Sequence, residues 1–341
     1  MILKKPKIII FAVLVLLTTI SVAYLLVSTK KGTTPTSITV LPSPNVPNYF
    51  SGGITPSIDI KESDFNFPTK LPLLEKQSSV SLDVAQAKAI ALHLGFTTEP
   101  IEGQDAVNGN VLIWNNKDNF LTIYLKLNKI KFGPQVNPVN LIPNVINKQL
   151  SDLALQNIAS DFLNNKIQVA SNSLRFSNFI YLVPKSGQEL FQITTKASAK
   201  IIQLNYSLNN AAYPIITQDP NASIAYVQIL LDGTIINSEV YLNVNYGPGL
   251  TEYSLLNFKQ FSQSINNAIL VSINDGSVNL PDVSKSELSD IVISKVELGY
   301  LLDSPNSNFL SPVFVLRGTV SLTGYANPLP AVLYLPAVVS P

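Results

Sequence analysis

Apolar positions along this chain form three kinds of pattern: one unbroken run, stripes at helical spacing, and alternations at strand spacing. The unbroken run is Ile8 to Val27, which carries no charge and only Thr18, Thr19 and Ser21 as small polar members. At about 1.5 Å rise per residue, a helix of this length crosses the roughly 30 Å hydrocarbon core of a bilayer. The run exceeds the roughly 7–15 apolar residues of a cleaved signal peptide, and no small-x-small site follows it, so it predicts an uncleaved anchor. Lys4, Lys5 and Lys7 precede it, and Lys30 and Lys31 follow. The positive-inside rule then predicts a cytoplasmic tail over residues 1–7 and places the chain from Gly32 onward outside the membrane.

Three stripes at helical spacing come next. Ser81 can cap a helix that runs to Leu94 and stops at Gly95, with Ala87, Ile90, Ala91 and Leu94 on one face. A second helix is expected from Val145 to Leu163, with Leu150, Ala154, Ile158 and Phe162 inward. A third starts near Ser254 and turns Phe258, Phe261, Ile265 and Ile269 inward.

Each stripe is followed by alternating segments. Val111–Trp114 and Phe120–Leu127 flank a polar turn, and in the latter Leu121, Ile123, Leu125 and Leu127 point one way. Phe179–Val183, Leu190–Thr194 and Lys200–Ser207 read as strands. Ala225–Leu231 and Ile236–Val244 form a hairpin around Asp232-Gly233. Tyr246-Gly247-Pro248-Gly249 reads as a break. Two long strands, Ile291–Leu302 and Pro312–Leu322, and a short one, Val332–Leu335, finish the chain. The expected class is therefore α+β: an N-terminal transmembrane helix, then tandem units of antiparallel sheet, each packed by a helix.

The segment before the first stripe has a different texture. Pro35, Pro42, Pro44, Pro47, Pro56, Pro68 and Pro72 are scattered among Ser, Thr and Gly, which predicts a semi-extended linker over residues 28–77. The expected organisation is a tail (1–7), a spanning helix (8–27), the linker (28–77), a small α+β unit (78–135), an α+β domain (140–250) and a C-terminal α+β domain (251–341).

Charge narrows the function classes. Five of the 23 basic residues flank the apolar run, and all 22 acids lie beyond residue 31, so the part outside the membrane is net acidic. That argues against nucleic acid as a partner, since such a surface needs clustered cations. The chain has no cysteine, which removes disulfides, thiol catalysis and thiolate metal sites.

Candidate chemistry is sparse. His93 is the only histidine; it falls in the last turn of the first expected helix, where a cation is mildly favoured, and no partner is placed beside it, so we read it as structural. No Gly-x-Ser-x-Gly elbow, phosphate loop or metalloprotease helix occurs. Ser28 and Lys31 match a serine–lysine spacing without its companion motifs. Asp275, Asp282, Glu287 and Asp290 are the densest acidic group, but their spacing does not match a calcium loop. No cofactor and no metal are expected.

Two constellations suit partner binding. Glu297 and Arg317 fall on the two last long strands and are expected to pair across them. Trp114, Phe120 and Tyr124 could form an aromatic patch for a peptide or glycan, although packing inside a small sheet is the plainer reading. The candidate partner-binding residues are thus Trp114, Tyr124, Glu297 and Arg317.

The order of elements also carries a resemblance. The helix Leu255–Leu270, the phrase Val296-Glu297-Leu298-Gly299-Tyr300, the strand Ser311-Pro312-Val313-Phe314-Val315-Leu316-Arg317-Gly318 and the ending Tyr334-Leu335-Pro336-Ala337-Val338 resemble the extracytoplasmic parts of the YycH/YycI type and related PepSY-like modules. That type consists of membrane-anchored regulators of a bacterial sensor kinase. The resemblance covers residues 140–341 in element order; the linker and the first unit depart from it. It implies no catalytic residues and a regulatory role, binding another membrane or envelope protein. From a different class comes a structural or adhesive surface protein with a glycan- or peptide-binding head. A two-carboxylate glycosidase stands third, because the sequence brings no such pair together.

Overall fold

The computed structural model describes residues 46–50, 55–77, 81–106, 108–143, 149–170, 173–185, 191–209, 213–242, 244–303 and 307–339. The expected anchor Ile8–Val27 lies outside the described residues. Among the described residues no helix is long and apolar enough to cross a membrane.

In chain order the strands are β1 (Ser57–Ile58), β2 (Lys70–Lys76), β3 (Ile101–Asp105), β4 (Gly109–Asn115), β5 (Asn119–Tyr124), β6 (Lys129–Pro134), β7 (Leu174–Pro184), β8 (Phe191–Ile193), β9 (Ile201–Leu208) and β10 (Ile215–Thr217). They continue as β11 (Ala225–Leu230), β12 (Ile235–Tyr241), β13 (Tyr246–Ser254), β14 (Ile269–Ile273), β15 (Leu288–Leu302), β16 (Phe309–Leu322) and β17 (Leu329–Pro336). The α-helices are α1 (Val84–His93), α2 (Asp152–Asp161) and α3 (Phe258–Ser264).

Nine strands form one antiparallel sheet in the order β3-β4-β5-β6-β12-β11-β9-β7-β8. Its strands alternate as half-buried strands must: in β5, Leu121 and Ile123 are buried, while Phe120, Thr122 and Tyr124 fall on the other face. One face is covered by both α1 and α2. Ala87, Ile90 and Ala91 from α1, and Leu155 and Ala159 from α2, pack with Trp114, Leu121, Ile123, Ile130, Leu204 and Val227. The cap of α1 is Asp83 rather than Ser81: its carboxylate accepts from the Gln86 amide at 2.7 Å, and the Gln86 side chain accepts from the Asp83 amide in return. The second helix is capped by Ser151 and continues past Asp161 as one wide turn, Phe162–Lys166; its expected start at Val145 lies outside the described residues.

The second sheet has eight strands and is built on the pairing of β15 with β16. β17 and then β14 extend it from β16. β1 and β10 lie parallel to β15 on its other edge. β2 joins the beginning of β16 and carries β13 on its far side. Under α3, five phenylalanines meet: Phe65 and Phe67, Phe258 and Phe261 of α3, and Phe314 of β16. Ring centroids lie 4.9 Å apart for Phe65–Phe261 and 5.3 Å for Phe67–Phe314. Such pairs add about 0.5–1.5 kcal/mol each beyond the area they bury.

This architecture overturns the expected α+β layout of tandem sheets with one helix each. The described chain is mostly strand, in two large sheets with three α-helices among the described residues. Local patterns gave the hairpins but not their joining. Lys129–Pro134 is a further strand, β6, and its pairing with β12 (Phe132 opposite Ser238) fuses segments 78–135 and 140–250 into one sheet. The proline-rich stretch does not remain a spacer along its second half. Its β1 and β2 belong to the C-terminal sheet, with Pro72 opposite Glu252. The expected break at Gly247-Pro248-Gly249 is part of β13, with an irregular register between Pro248 and Glu252.

Two glycines make close crossings possible. At Gly299 a Cβ would sit 3.0 Å from the Pro214 carbonyl oxygen, which accepts from the Tyr300 amide at the entry of β10. At Gly318 a Cβ would collide with the Val292 carbonyl, where β15 bulges on either side of Val292–Ile293. Gly318→Ala is therefore expected to cost about 3 kcal/mol, because the obstacle is backbone and cannot rotate away. Far-UV circular dichroism melts of the two full-length proteins should show a Tm lower by several degrees.

Where the sheets meet, Leu74, Leu208, Ile215, Tyr246, Tyr300 and Leu310 share one cluster. The Tyr246 hydroxyl donates to the Ser307 carbonyl at 2.8 Å, and that of Tyr300 to the Pro72 carbonyl at 2.9 Å. Burial pushes both phenols up to about 12, aided by the charge of Asp303 at Tyr246 and by Tyr213 at Tyr300. The unfolded chain releases these protons near pH 10, whereas the folded one keeps them to about 12. Their contribution to stability is thus fully present below pH 10 and is lost as pH rises from 10 to 12. Urea midpoints measured at pH 7.5, 8.5 and 11.5 should be level between the first two and drop at the third.

Candidate functional site

A cleft of about 660 Å³ opens between the two sheets. Edge strands from both sheets line it: Phe191, Gln192 and Ile193 of β8, the last strand of the nine-stranded sheet, and Val271 and Ser272 of β14, the last strand of the other. Tyr49 and Tyr325 also line it, and they are 48% and 51% exposed. The charged groups on its lining are Lys185 and Asp219; the other polar members are Gln192, Ser272, Ser277 and Asn279.

Local hydrogen bonds hold these walls. After β14 the chain turns at Asn274, whose φ is 49°, and the Asn274 side-chain amide donates to Ser277 Oγ at 2.7 Å. The Asn279 amide donates to the Asp282 carboxylate at 2.7 Å. Opposite, the Asp219 carboxylate accepts from the Asn221 backbone amide at 2.8 Å, and its carbonyl accepts from Thr217 Oγ1 at 2.6 Å. Tyr334 of β17 anchors this loop by donating to the Thr217 carbonyl at 2.9 Å. Burial raises the Tyr334 phenol above the ordinary tyrosine range; Asp219 adds to this and Arg317 opposes it.

One group on the wall is left over. Ser272 is 3% exposed, and its hydroxyl has no hydrogen-bond partner among the described residues; Ser238, inside the nine-stranded sheet, is in the same condition. An unsatisfied buried hydroxyl costs about 1–3 kcal/mol, so Ser272 is an expensive residue where valine or alanine would pack.

The expected site residues divide between several places. Trp114 is buried in the core on α1 and α2, with its indole N–H donated to the Thr98 carbonyl at 3.1 Å, so it offers nothing to a partner. Tyr124 lies on the opposite face of the same sheet, apart from Trp114, and the expected three-residue aromatic patch does not form. Phe120 instead lies over Gly133, where a Cβ would be 3.0 Å from its ring. Tyr124 joins a different group: Tyr226, Tyr241, Lys129, Lys131 and Glu239. Glu239 is paired with Lys129 at 2.5 Å and Lys131 at 3.3 Å, and Lys129 stands 5.0 Å from the Tyr241 ring centroid. Burial, with the charge of Glu239, pushes Tyr226 and Tyr241 up to about 12. β6 alternates in Lys129-Ile130-Lys131-Phe132, but the group also draws Tyr226, Glu239 and Tyr241 from β11 and β12, about a hundred residues away, and no local pattern ties them to it.

Glu297 and Arg317 do meet. Arg317 stands directly opposite Lys295, and Glu297 opposite Val315, so the ion pair is a diagonal one. Glu297 accepts from Arg317 Nε at 2.8 Å and from Lys295 Nζ at 2.6 Å. Partial burial pushes the Glu297 carboxyl up, but these two cations outweigh it and hold it below the usual range. The register puts Glu297, Val315, Tyr334 and Ile269 in one row across four strands, the same face on which Val271 packs near the cleft.

The remaining candidates have local roles. His93 ends α1, and its Nδ1 is 2.7 Å from the Gln168 side-chain amide. Glu287 caps a short turn, and the Ser284 backbone and side chain hold its carboxyl below the usual range. Among the described residues no group of three or more acids or histidines is placed to hold a metal ion. Ser28 and Lys31 lie outside the described residues. Asp219 is the one carboxylate among the described lining residues of the cleft, so a two-carboxylate pair is not assembled there.

The ion cluster is solvent-exposed and should be weak. A double-mutant cycle of Glu297→Gln and Arg317→Gln, read by urea unfolding, is expected to give a coupling of roughly 0.2–1 kcal/mol that shrinks in about 1 M salt.

No protein-family model matches the chain, and no curated protein does. Among solved structures, it is similar to an uncharacterized protein from Eubacterium rectale, with a TM-score of 0.43 and 9% identity over 84% of this chain and 88% of that one. It is also similar to YycH from Bacillus subtilis, with a TM-score of 0.34 and 14% identity over 76% of this chain and 52% of that one. The chain spans about half the length of that YycH chain, and the likeness is a distant one.

Proposed function

We propose that this is a single-pass membrane protein whose region outside the membrane binds another membrane or envelope protein, without catalysis of its own, in a regulatory role. The apolar run Ile8–Val27 and its flanking lysines support the location. The cleft between the two sheets supports the binding role and is the observation that carries the reading. Its lining combines exposed tyrosines, amides and hydroxyls, which suit recognition. Its single described carboxylate, Asp219, is already engaged by a backbone amide. The net-acidic balance of the chain beyond residue 31 argues against a polybasic attachment to lipid or nucleic acid as the source of affinity.

A sugar-binding surface head is the second reading, favoured by Tyr49 and Tyr325, because exposed aromatic rings at a cleft can also stack on a glycan. One experiment separates the two. A photoreactive phenylalanine analogue placed at Tyr325 in the full-length chain, irradiated in the native membrane, should yield a discrete protein adduct. The same analogue at Lys88, on exposed α1, should not. Adducts of equal yield from both positions, or none from Tyr325, would overturn the protein-binding reading, and retention on immobilised glycans would then favour the second.

A further inference from the structure

We infer that the cleft takes its partner as an extended, uncharged peptide segment added as a strand to the open edge of β14. This rests on the reading of the cleft as a binding site and specifies what it binds and how. β14 pairs with β17 on one side, and β8 pairs with β7 on one side; among the described residues neither has a strand on its other edge. Open sheet edges are templates for further strands, and proteins guard them with lysine, proline, bulges or cover. β14 reads Ile269-Leu270-Val271-Ser272-Ile273 and β8 reads Phe191-Gln192-Ile193. Neither carries a charge or a proline. The one guard on β14 is the register shift between Leu270 and Ser272. Both edges, short as they are, line the same cleft.

Ser272 adds a second, independent pointer. Ser272 lines the cleft and its buried hydroxyl has no partner among the described residues, so a turn about its Cα–Cβ bond on binding would let it meet an incoming backbone carbonyl or amide. Backbone pairing gives such a complex its affinity, and alternate side chains give it specificity. The lining selects against charge on those side chains, because among its described residues it offers one lysine and one carboxylate that already accepts from a backbone amide. Val271, Ile193 and Phe191 suit β-branched and aromatic residues, with Tyr49 and Tyr325 at the rim. A volume of about 660 Å³ holds a few residues of such a segment.

The test uses the full-length chain in detergent micelles and a displayed library of random heptapeptides as the probe. Selected peptides should be poor in charge and rich in Val, Ile, Thr and aromatics. N-methylation of alternate amides in a selected peptide should weaken binding at least tenfold for one set and less than threefold for the other. This manipulation leaves the protein untouched. Ser272→Ala should raise the Tm of the free protein while weakening the peptide about five- to tenfold, a combination that a merely structural serine would not show. Equal loss from both N-methylated sets, no loss from either, selection of no peptide, or pairing of β14 with a second copy of the chain would each overturn strand addition. If Tyr325 still gives its specific protein adduct in that event, the binding reading survives without it; if that adduct is also missing, both fall.

Discussion

Eleven register positions bind β15 to β16, from Leu288 opposite Leu322 to Leu301 opposite Ser311, and every other strand of that sheet attaches to one of the two or to a strand that does. Their inward residues Phe314, Leu316 and Leu298 are buried. The pair also fixes the other landmarks. It brings Glu297 within reach of Arg317, and it opens the gap at Val292 that only Gly318 tolerates. It also sets the row in which Tyr334 reaches the Thr217 loop. Because β14 reaches β16 through β17, one wall of the cleft is positioned by this same hairpin.

How much of this could be read beforehand depended on sequence separation. Features set by near neighbours were legible. The Asp232-Gly233 hairpin, the stop at Gly95, the middle of the helix carrying Phe258 and Phe261, and the final long strands follow from spacing and turn chemistry, although Ile269, expected on that helix, opens β14 instead. Features set by distant pairing were not. Phe65 and Phe67 sit among prolines, and nothing in their surroundings indicates that they fill a cluster under α3. Lys129-Ile130-Lys131-Phe132 alternates as a strand does, but nothing near it in the sequence points to β12 as its neighbour. Merging local hairpins into two wide sheets changed the class of the fold.

The same division explains the site. Glu297 and Arg317 could be matched because they occupy adjacent strands of one hairpin. The cleft draws residues from near positions 49, 191, 219, 272 and 325, and no local pattern ties those together. Trp114 is the opposite case: a patch for a partner and packing inside a sheet were both open to it, and its position among Leu121 and Ile123 makes it core, the plainer of the two readings. Ser272 is a small polar residue in an apolar strand, and such an exception becomes meaningful only once its burial is known.

The routing of β1 and β2 has a temporal corollary. Both belong to a sheet whose spine lies more than 200 residues downstream, as in the contact of Ser57 with Ile291. Synthesis proceeds from the amino end, so these strands emerge long before the hairpin that receives them exists. The nine-stranded sheet can close meanwhile, since its pairings stay between residues 101 and 241. The earliest strands must wait, with Phe65 and Phe67 still wet, until the last hundred residues arrive. Completion of the molecule is therefore a closing of the ends around a finished middle, a slow and late step by virtue of its long loop.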